Sequence, residues 1–176
     1  IVITCFYLVL STQLNNYWNW GRLVTLNNTY QTILIATDGS KFSQNAVLQG
    51  MELAKLVGAK VYVLYVLDKN AYTLPTLETP IYLGSNWDVV EETLRQEGKD
   101  AIQYARDVAR NKGIGFESVV IEGNPANAIL EFAEQKKVNL IIMGTLGKGG
   151  LERFLLGSVT NKVIRHSKSS VLVVKE

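Results

Sequence analysis

The sequence predicts an α/β fold: a single, doubly wound five-stranded parallel sheet with helices on both faces. Short apolar runs alternate with longer segments of helical periodicity, in the order β-α-β-α-β-α-β-α-β. The runs are apolar throughout rather than alternating with polar residues, which is typical of strands buried on both faces. The length of 176 residues and the apolar fraction of 47% suit one domain with one core.

The first half of the domain is predicted to hold two strands and two helices. Residues 33–37 form a buried strand that ends at a turn, Asp38-Gly39-Ser40. A helix over 43–57 follows, with Ser40 or Ser43 as its cap and Gly58 after its end. The second strand covers 61–67.

A long loop and a long helix come next. The loop from about 68 to 87 carries two prolines, and its length fits a lid, an interaction surface or a disordered segment. Apolar residues at helical spacing predict a helix over 88–112, with Gly113 following it.

The second half completes the sheet. The third strand is predicted at 116–121, followed by a helix that begins at Asn124-Pro125 and runs to about 137. The fourth strand covers 140–143, the fourth helix 158–166 and the last strand 171–174.

Residues 1–29 are predicted to be an atypical N-terminal extension to the domain of residues 30–176. The run over 1–10 is almost wholly apolar, yet too short to span a bilayer and without the basic region of a signal peptide. Three interpretations remain open: a poorly ordered leader or an artefact of an upstream start, an added packing or oligomer segment, and the end of a membrane segment from a longer protein.

Composition narrows the function classes. The net charge of +2 gives no basis for a nucleic-acid partner, and Cys5, the single cysteine, favours a reducing, cytoplasmic setting. The sequence shows no cysteine–histidine metal pattern, so no protein metal site is predicted. His166 is the only histidine, and we interpret it as a solvated residue that is favourable near a helix C-terminus. No catalytic residue is predicted.

The chemistry is concentrated after the fourth strand. Residues 141–150 read Ile-Ile-Met-Gly-Thr-Leu-Gly-Lys-Gly-Gly, and Gly157-Ser158 opens the next helix. Asp38 and Gly144 each follow a strand, so both belong at the edge of the sheet where ligands bind in such folds. Glycine loops and helix N-termini offer backbone N–H groups to phosphate. The spacing matches neither a Walker A loop nor G-x-G-x-x-G.

The combination G-x-x-G, nine residues, G-S, formed by Gly144, Gly147, Gly157 and Ser158, resembles the ATP-binding branch of the universal stress protein family. Thr-Asp-Gly-Ser (37–40), Tyr-Val-Leu-Asp (65–68), Gly-Asn-Pro (123–125) and the terminal Val-Leu-Val-Val-Lys add to the resemblance. It covers roughly residues 30–176, and it implies a Rossmann-like fold of the adenine-nucleotide alpha-hydrolase kind.

The resemblance implies an ATP site with specific roles. Asp38 would accept a hydrogen bond from the nucleoside, Val66 would contact adenine, and Gly157 and Ser158 would present N–H groups and a hydroxyl to the phosphates. Lys148 and Arg153 could add positive charge, and Mg²⁺ or Mn²⁺ would accompany the phosphates. The implied binding residues are Ala36, Thr37, Asp38, Val66, Met143, Gly144, Gly147, Gly157, Ser158, Val159 and Thr160.

The expected function is that of an ATP-binding regulatory protein of the stress response, acting as a nucleotide-dependent dimeric switch with at most slow ATP hydrolysis. The apolar last strand needs a cover at the sheet edge, and the resemblance implies a homodimer through it. No membrane contact is expected for residues 30–176. A partner-activated ATPase, an autophosphorylating enzyme and a sensor domain detached from a membrane transporter are the alternatives.

Overall fold

Five parallel strands form one sheet in the order β3-β2-β1-β4-β5 in the computed structural model. The structure describes residues 29–68, 87–148 and 156–175. The strands are β1 (Thr32–Ala36), β2 (Lys60–Leu67), β3 (Glu117–Glu122), β4 (Leu140–Gly144) and β5 (Ser170–Val174). The helices are α1 (Lys41–Val57), α2 (Trp87–Lys112), α3 (Pro125–Gln135) and α4 (Ser158–His166). The predicted fold class is confirmed.

The strand order reverses between β1 and β4. The chain runs from β1 outward through β2 to β3, then crosses back to β4 on the other side of β1 and ends at the β5 edge. Ile33 pairs with Val61 of β2 and with Leu140 of β4, so β1 lies at the centre of the sheet. In open α/β sheets, a ligand crevice lies beyond the strand ends at such a reversal.

Alternate residues of the central strands enter two separate cores. Ile33, Ile35 and Val63 lie on the face covered by α1 and α2. Leu34 and Ile141 lie on the face covered by α3 and α4. These side chains are fully buried, which explains the apolar runs, because a parallel strand covered on both faces has no position left for a polar residue.

The helix ends follow local chemistry and refine the predicted bounds. Ser40, rather than Ser43, is the N-cap of α1, and its Oγ accepts the Ser43 N–H at 3.3 Å. Asn124 caps α3, its Oδ1 accepting the Asn127 N–H at 3.2 Å. The prediction that α3 reaches residue 137 is wrong, since Lys137 has φ +51 and cannot continue the helix.

Several predictions fall outside the described residues. Residues 1–28 and 69–86 are among these, so the N-terminal extension and most of the long loop stay predictions. Within the ranges that the structure describes, no helix has the length and apolar character needed to cross a bilayer.

Candidate functional site

A cleft opens beyond the ends of β1, β2 and β4, at the reversal of strand order. The space between its walls is about 510 Å³, a volume that includes the open mouth of the cleft. Its lining residues come from three strands, the two loops that follow β1 and β4, and the N-terminal halves of α1, α3 and α4: Ala36, Thr37, Asp38, Ser43, Leu64, Val66, Pro125, Ile129, Met143, Gly144, Leu146, Gly147, Val159 and Thr160.

One wall of the cleft is apolar. Leu64 and Val66 are alternate residues of β2 and therefore point to the same side of the sheet. Ile129 of α3 and Val159 of α4 belong to the same cluster of packed apolar side chains. Such a wall suits a flat, weakly polar group.

A chain of hydroxyl hydrogen bonds holds the turn between β1 and α1. The Gly39 N–H donates to Thr37 Oγ1 at 3.2 Å, and Thr37 Oγ1 lies 3.0 Å from Ser43 Oγ. Ser43 Oγ donates to the Ser40 carbonyl at 2.9 Å. Because Thr37 and Ser43 are both buried, these bonds satisfy groups that water does not reach, and they fix the turn.

Asp38 joins the two loops of the cleft. Its Oδ1 accepts the Ser40 N–H at 3.0 Å and the Ser40 hydroxyl at 2.6 Å. Its Oδ2 accepts the Lys148 N–H at 2.8 Å, which connects positions 110 residues apart. A Cβ at Gly147 would lie 2.6 Å from Asp38 Oδ2, so only glycine permits this approach. Asp38 is therefore a brace of the site as well as part of its lining.

The end of β4 is held against two helices. A Cβ at Gly144 would come within 2.8 Å of the carbonyl carbon of Phe42, in the first turn of α1. Thr160 Oγ1 donates to the Gly144 carbonyl at 3.0 Å, which ties the first turn of α4 to the strand end. These contacts place the N-terminus of α4 at the cleft.

The N-terminus of α4 carries positive backbone charge. Gly157 is its N-cap and has no side-chain oxygen, so the amides of residues 158–160 have no acceptor within the helix. The amide of Gly157 differs from expectation: it donates to the Thr145 carbonyl at 2.8 Å, because the loop after β4 folds back onto it. Ser158 is exposed at the start of the helix.

Lys148 extends toward α2 and is not among the lining residues. Its Nζ donates to Glu97 Oε2 at 2.6 Å. Burial lowers the pKa of Lys148, but the hydrogen bond to Glu97 and the electrostatic interactions with Tyr65, Glu97 and Asp38 outweigh burial, so the pKa lies above its usual value. Burial raises the pKa of Tyr65, and Lys148 opposes that rise. Both groups therefore keep their ordinary neutral-pH forms.

The structure brings together every predicted site residue except Gly157 and Ser158, which stand at the start of α4 outside the lining. Sequence reasoning missed Ser43, Leu64, Pro125, Ile129 and Leu146. Leu64 could have been found from its two-residue spacing to Val66, and Pro125 from the helix start that it marks. Arg153 lies outside the described residues. In the described ranges, no three His, Cys, Asp or Glu side chains are grouped as a metal site.

A second cleft lies between the end of β3 and α3. Its lining includes the carboxylates of Glu122 and Glu131 and contains no lysine or arginine. Among the described residues, the lining of the cleft at the strand reversal also has no lysine or arginine, but it has one carboxylate, Asp38, and it includes the first turn of α4. The partial positive charge of that helix N-terminus makes this cleft the better anion site.

Comparison with known proteins gives consistent results. The sequence model of the universal stress protein family matches residues 29–175. The universal stress protein MJ0531 of Methanocaldococcus jannaschii is 42% identical over 150 residues, which cover 85% of this chain and 84% of that protein.

Solved structures share the architecture. The structure of hypothetical protein MJ0577 has a TM-score of 0.71 at 30% identity, and the match covers 84% of this chain and 97% of that one. A universal stress protein in complex with cAMP has a TM-score of 0.62 at 28% identity, with coverage of 83% and 97%.

Proposed function

Because this chain belongs to the universal stress protein family, we propose that it is a stress-response regulatory protein that binds an adenine nucleotide, ATP, in the cleft at the strand reversal. One observation carries the proposal: a single cleft combines an apolar wall with a glycine loop and a helix N-terminus. The similar universal stress protein solved with cAMP supports an adenine nucleotide as the ligand.

The two halves of the cleft divide the ligand between them. The apolar wall of Leu64, Val66 and Ile129 suits the adenine ring, because burying a flat apolar surface there removes it from water. The amides of residues 158–160 suit the phosphates, because the partial positive charge of a helix N-terminus attracts anions.

The proposal assigns the divalent ion to the nucleotide. Mg²⁺ or Mn²⁺ would be held by the phosphate oxygens and by water, as is usual for Mg²⁺ bound with a nucleotide. Asp38, the carboxylate in the lining, has both oxygens engaged in hydrogen bonds. We therefore do not assign a protein ligand to the ion.

A homodimer through β5 is part of the proposal. β5 is an edge strand, and Leu172 on it is 38% exposed. Ile164 on the neighbouring α4 is 42% exposed. An open strand edge beside exposed apolar side chains favours pairing with a second copy of the chain. Because α4 belongs to both the cleft and this edge, nucleotide binding can be coupled to dimerisation, as a cytoplasmic switch requires.

Binding rather than turnover is the proposed activity. Hydrolysis needs a group that positions or deprotonates water, and Asp38 already serves as a hydrogen-bonded brace. We therefore expect hydrolysis to be slow at most. Fast, partner-independent phosphate release that is lost in Asp38→Ala and Ser158→Ala would favour the ATPase alternative instead.

The test is to identify what the protein carries. Small molecules are released by heat from the purified protein and analysed by mass spectrometry. We expect an adenine nucleotide at near-stoichiometric amount, or its uptake after incubation with ATP and Mg²⁺. Recovery of no nucleotide in either case would contradict the proposal.

A further inference from the structure

One turn of α2 supports both loops of the cleft from the opposite face of the sheet. Glu97 bonds the loop after β4 through Lys148. Ala101, one turn further, packs beside Gly39 in the loop after β1, where a Cβ on the glycine would lie 3.4 Å from the alanine Cβ. Two loops that come from different strands therefore rest on one short segment of helix.

The same turn shapes the surroundings of the lysine. Gly98 lies against Tyr65, since a Cβ on this glycine would be 3.1 Å from the ring atoms. The Lys148 Nζ lies 6.0 Å from the centre of the Tyr65 ring and 2.6 Å from Glu97 Oε2. The ammonium is thus held by an aromatic ring and a carboxylate on the α2 side of the sheet.

Lys148 is also fixed through its backbone. Its N–H donates to Asp38 Oδ2 at 2.8 Å, so backbone and side chain are anchored to different parts of the fold. This double anchorage sets the position of Gly147, whose close approach to Asp38 leaves no room for a Cβ. Contacts within the protein therefore define the conformation of the loop.

We infer that Lys148 and Glu97 are positioning residues, which hold the glycine loop on α2 in its binding conformation, and that Lys148 does not itself contact phosphate. The inference rests on the proposed nucleotide binding and deepens it. It replaces the expectation that Lys148 neutralises phosphate charge. A preorganised loop avoids part of the ordering cost of binding, whichever nucleotide enters.

The test compares Glu97→Gln and Lys148→Met with a matched control. Glu52→Gln removes a different ion pair between α2 and a distant element, Lys112 Nζ to Glu52 Oε1 of α1 at 2.6 Å. Dissociation constants for AMP, ADP and ATP are measured by calorimetry for each variant. The ion pair between Lys148 and Glu97 is part-exposed, so its contribution is modest. We therefore expect Glu97→Gln and Lys148→Met each to weaken the binding of all three nucleotides by the same factor, about two- to five-fold.

Three further results are expected. The double variant binds as weakly as either single variant, since both remove one interaction. Lys148→Arg restores binding to within about two-fold of the original, since it keeps the charge. Glu52→Gln leaves binding unchanged. Two results would overturn the inference: a much larger loss of affinity for ATP than for AMP in Lys148→Met, or tighter ATP binding in Glu97→Gln. Both are expected if Lys148 binds phosphate directly.

A ligand-free measurement separates this inference from the proposed function. Amide hydrogen exchange over residues 145–148 should become faster in Glu97→Gln and stay unchanged in Glu52→Gln. Equal exchange rates in the original protein, Glu97→Gln and Glu52→Gln would contradict the inference that the pair of Lys148 and Glu97 holds the loop. If the original protein binds no nucleotide, the proposed function fails, and the exchange measurement still decides whether Glu97 holds the loop.

Discussion

At the scale of single residues, the contact between Gly147 and Asp38 is the tightest constraint on the site. Gly147→Ala places a methyl group 2.6 Å from Asp38 Oδ2, so the loop or the carboxylate must move. We expect ATP binding to weaken at least ten-fold, and the free energy of unfolding to fall by about 1–3 kcal/mol, as for other overpacked positions.

The control for this substitution is Gly115→Ala. An added Cβ at Gly115 meets nothing within 4 Å, and this glycine has no positive φ. Calorimetry and urea denaturation should show neither effect in the control. Equal loss of binding in both variants would show that the contact with Asp38 is not what matters.

A second residue-scale prediction concerns Thr160. Thr160→Val keeps the shape of the side chain but removes the buried hydrogen bond to the Gly144 carbonyl. We expect the free energy of unfolding to fall by about 1–3 kcal/mol, because a buried acceptor loses a donor. Thr93→Val removes an exposed hydrogen bond to the Val89 carbonyl and should change stability far less. Denaturant titration of both variants distinguishes them, and equal effects would contradict the account.

At the scale of elements, the caps of α1 and α3 have different functions. Ser40 caps α1 and also bonds Asp38, whereas Asn124 caps α3 alone. Ser40→Ala and Asn124→Ala should each cost about 1 kcal/mol of unfolding free energy. Only Ser40→Ala should also weaken ATP binding, because Asp38 then loses a partner. Urea denaturation measures the stability of both variants, and calorimetry measures their ATP binding. Equal losses of binding would show that the bond between Ser40 and Asp38 does not support the site.

The elements were predictable where the signal is local. The apolar run over 140–143 and the glycine after α1 required no tertiary information, and Gly58 has φ +66 as its position past the helix end suggests. The end of α3 was not predictable, because the sequence near Lys137 has no glycine or proline to stop the helix. The left-handed conformation there follows from the chain turning into Val138, which is buried against α3.

The site was predictable to the same degree. Residues at or just beyond the carboxyl ends of strands, such as Gly144 and Asp38, belong to the ligand edge by topology alone. Ile129 reaches the cleft only through the packing of α3 on the sheet, which the local sequence does not encode. Lys148 and Glu97 are 51 residues apart and meet only through the packing of α2. The local sequence does not show this pair, which is why Lys148 was expected to neutralise phosphate charge.

At the scale of the whole molecule, a charge introduced at either edge of the sheet is expected to affect the proposed homodimer differently. Leu172→Asp places a charge on β5 and should convert the proposed homodimer into a monomer, because burying an unpaired carboxylate at an interface is costly. Val120→Asp places the same charge on β3, where Val120 is 51% exposed, and should leave the dimer intact. Analytical ultracentrifugation at micromolar concentration measures both. A monomeric original protein, or loss of the dimer in the β3 variant, would contradict the proposed interface.

Chemical-shift mapping of the backbone amides during an ATP–Mg²⁺ titration is the sharpest test of ATP binding at the reversal of strand order. We expect saturable shifts at residues 36–38, 64–66, 143–148 and 157–160, with the amides of 122–124 at the second cleft unmoved. Shifts confined to the second cleft between β3 and α3, or no shifts at millimolar ATP, would contradict it.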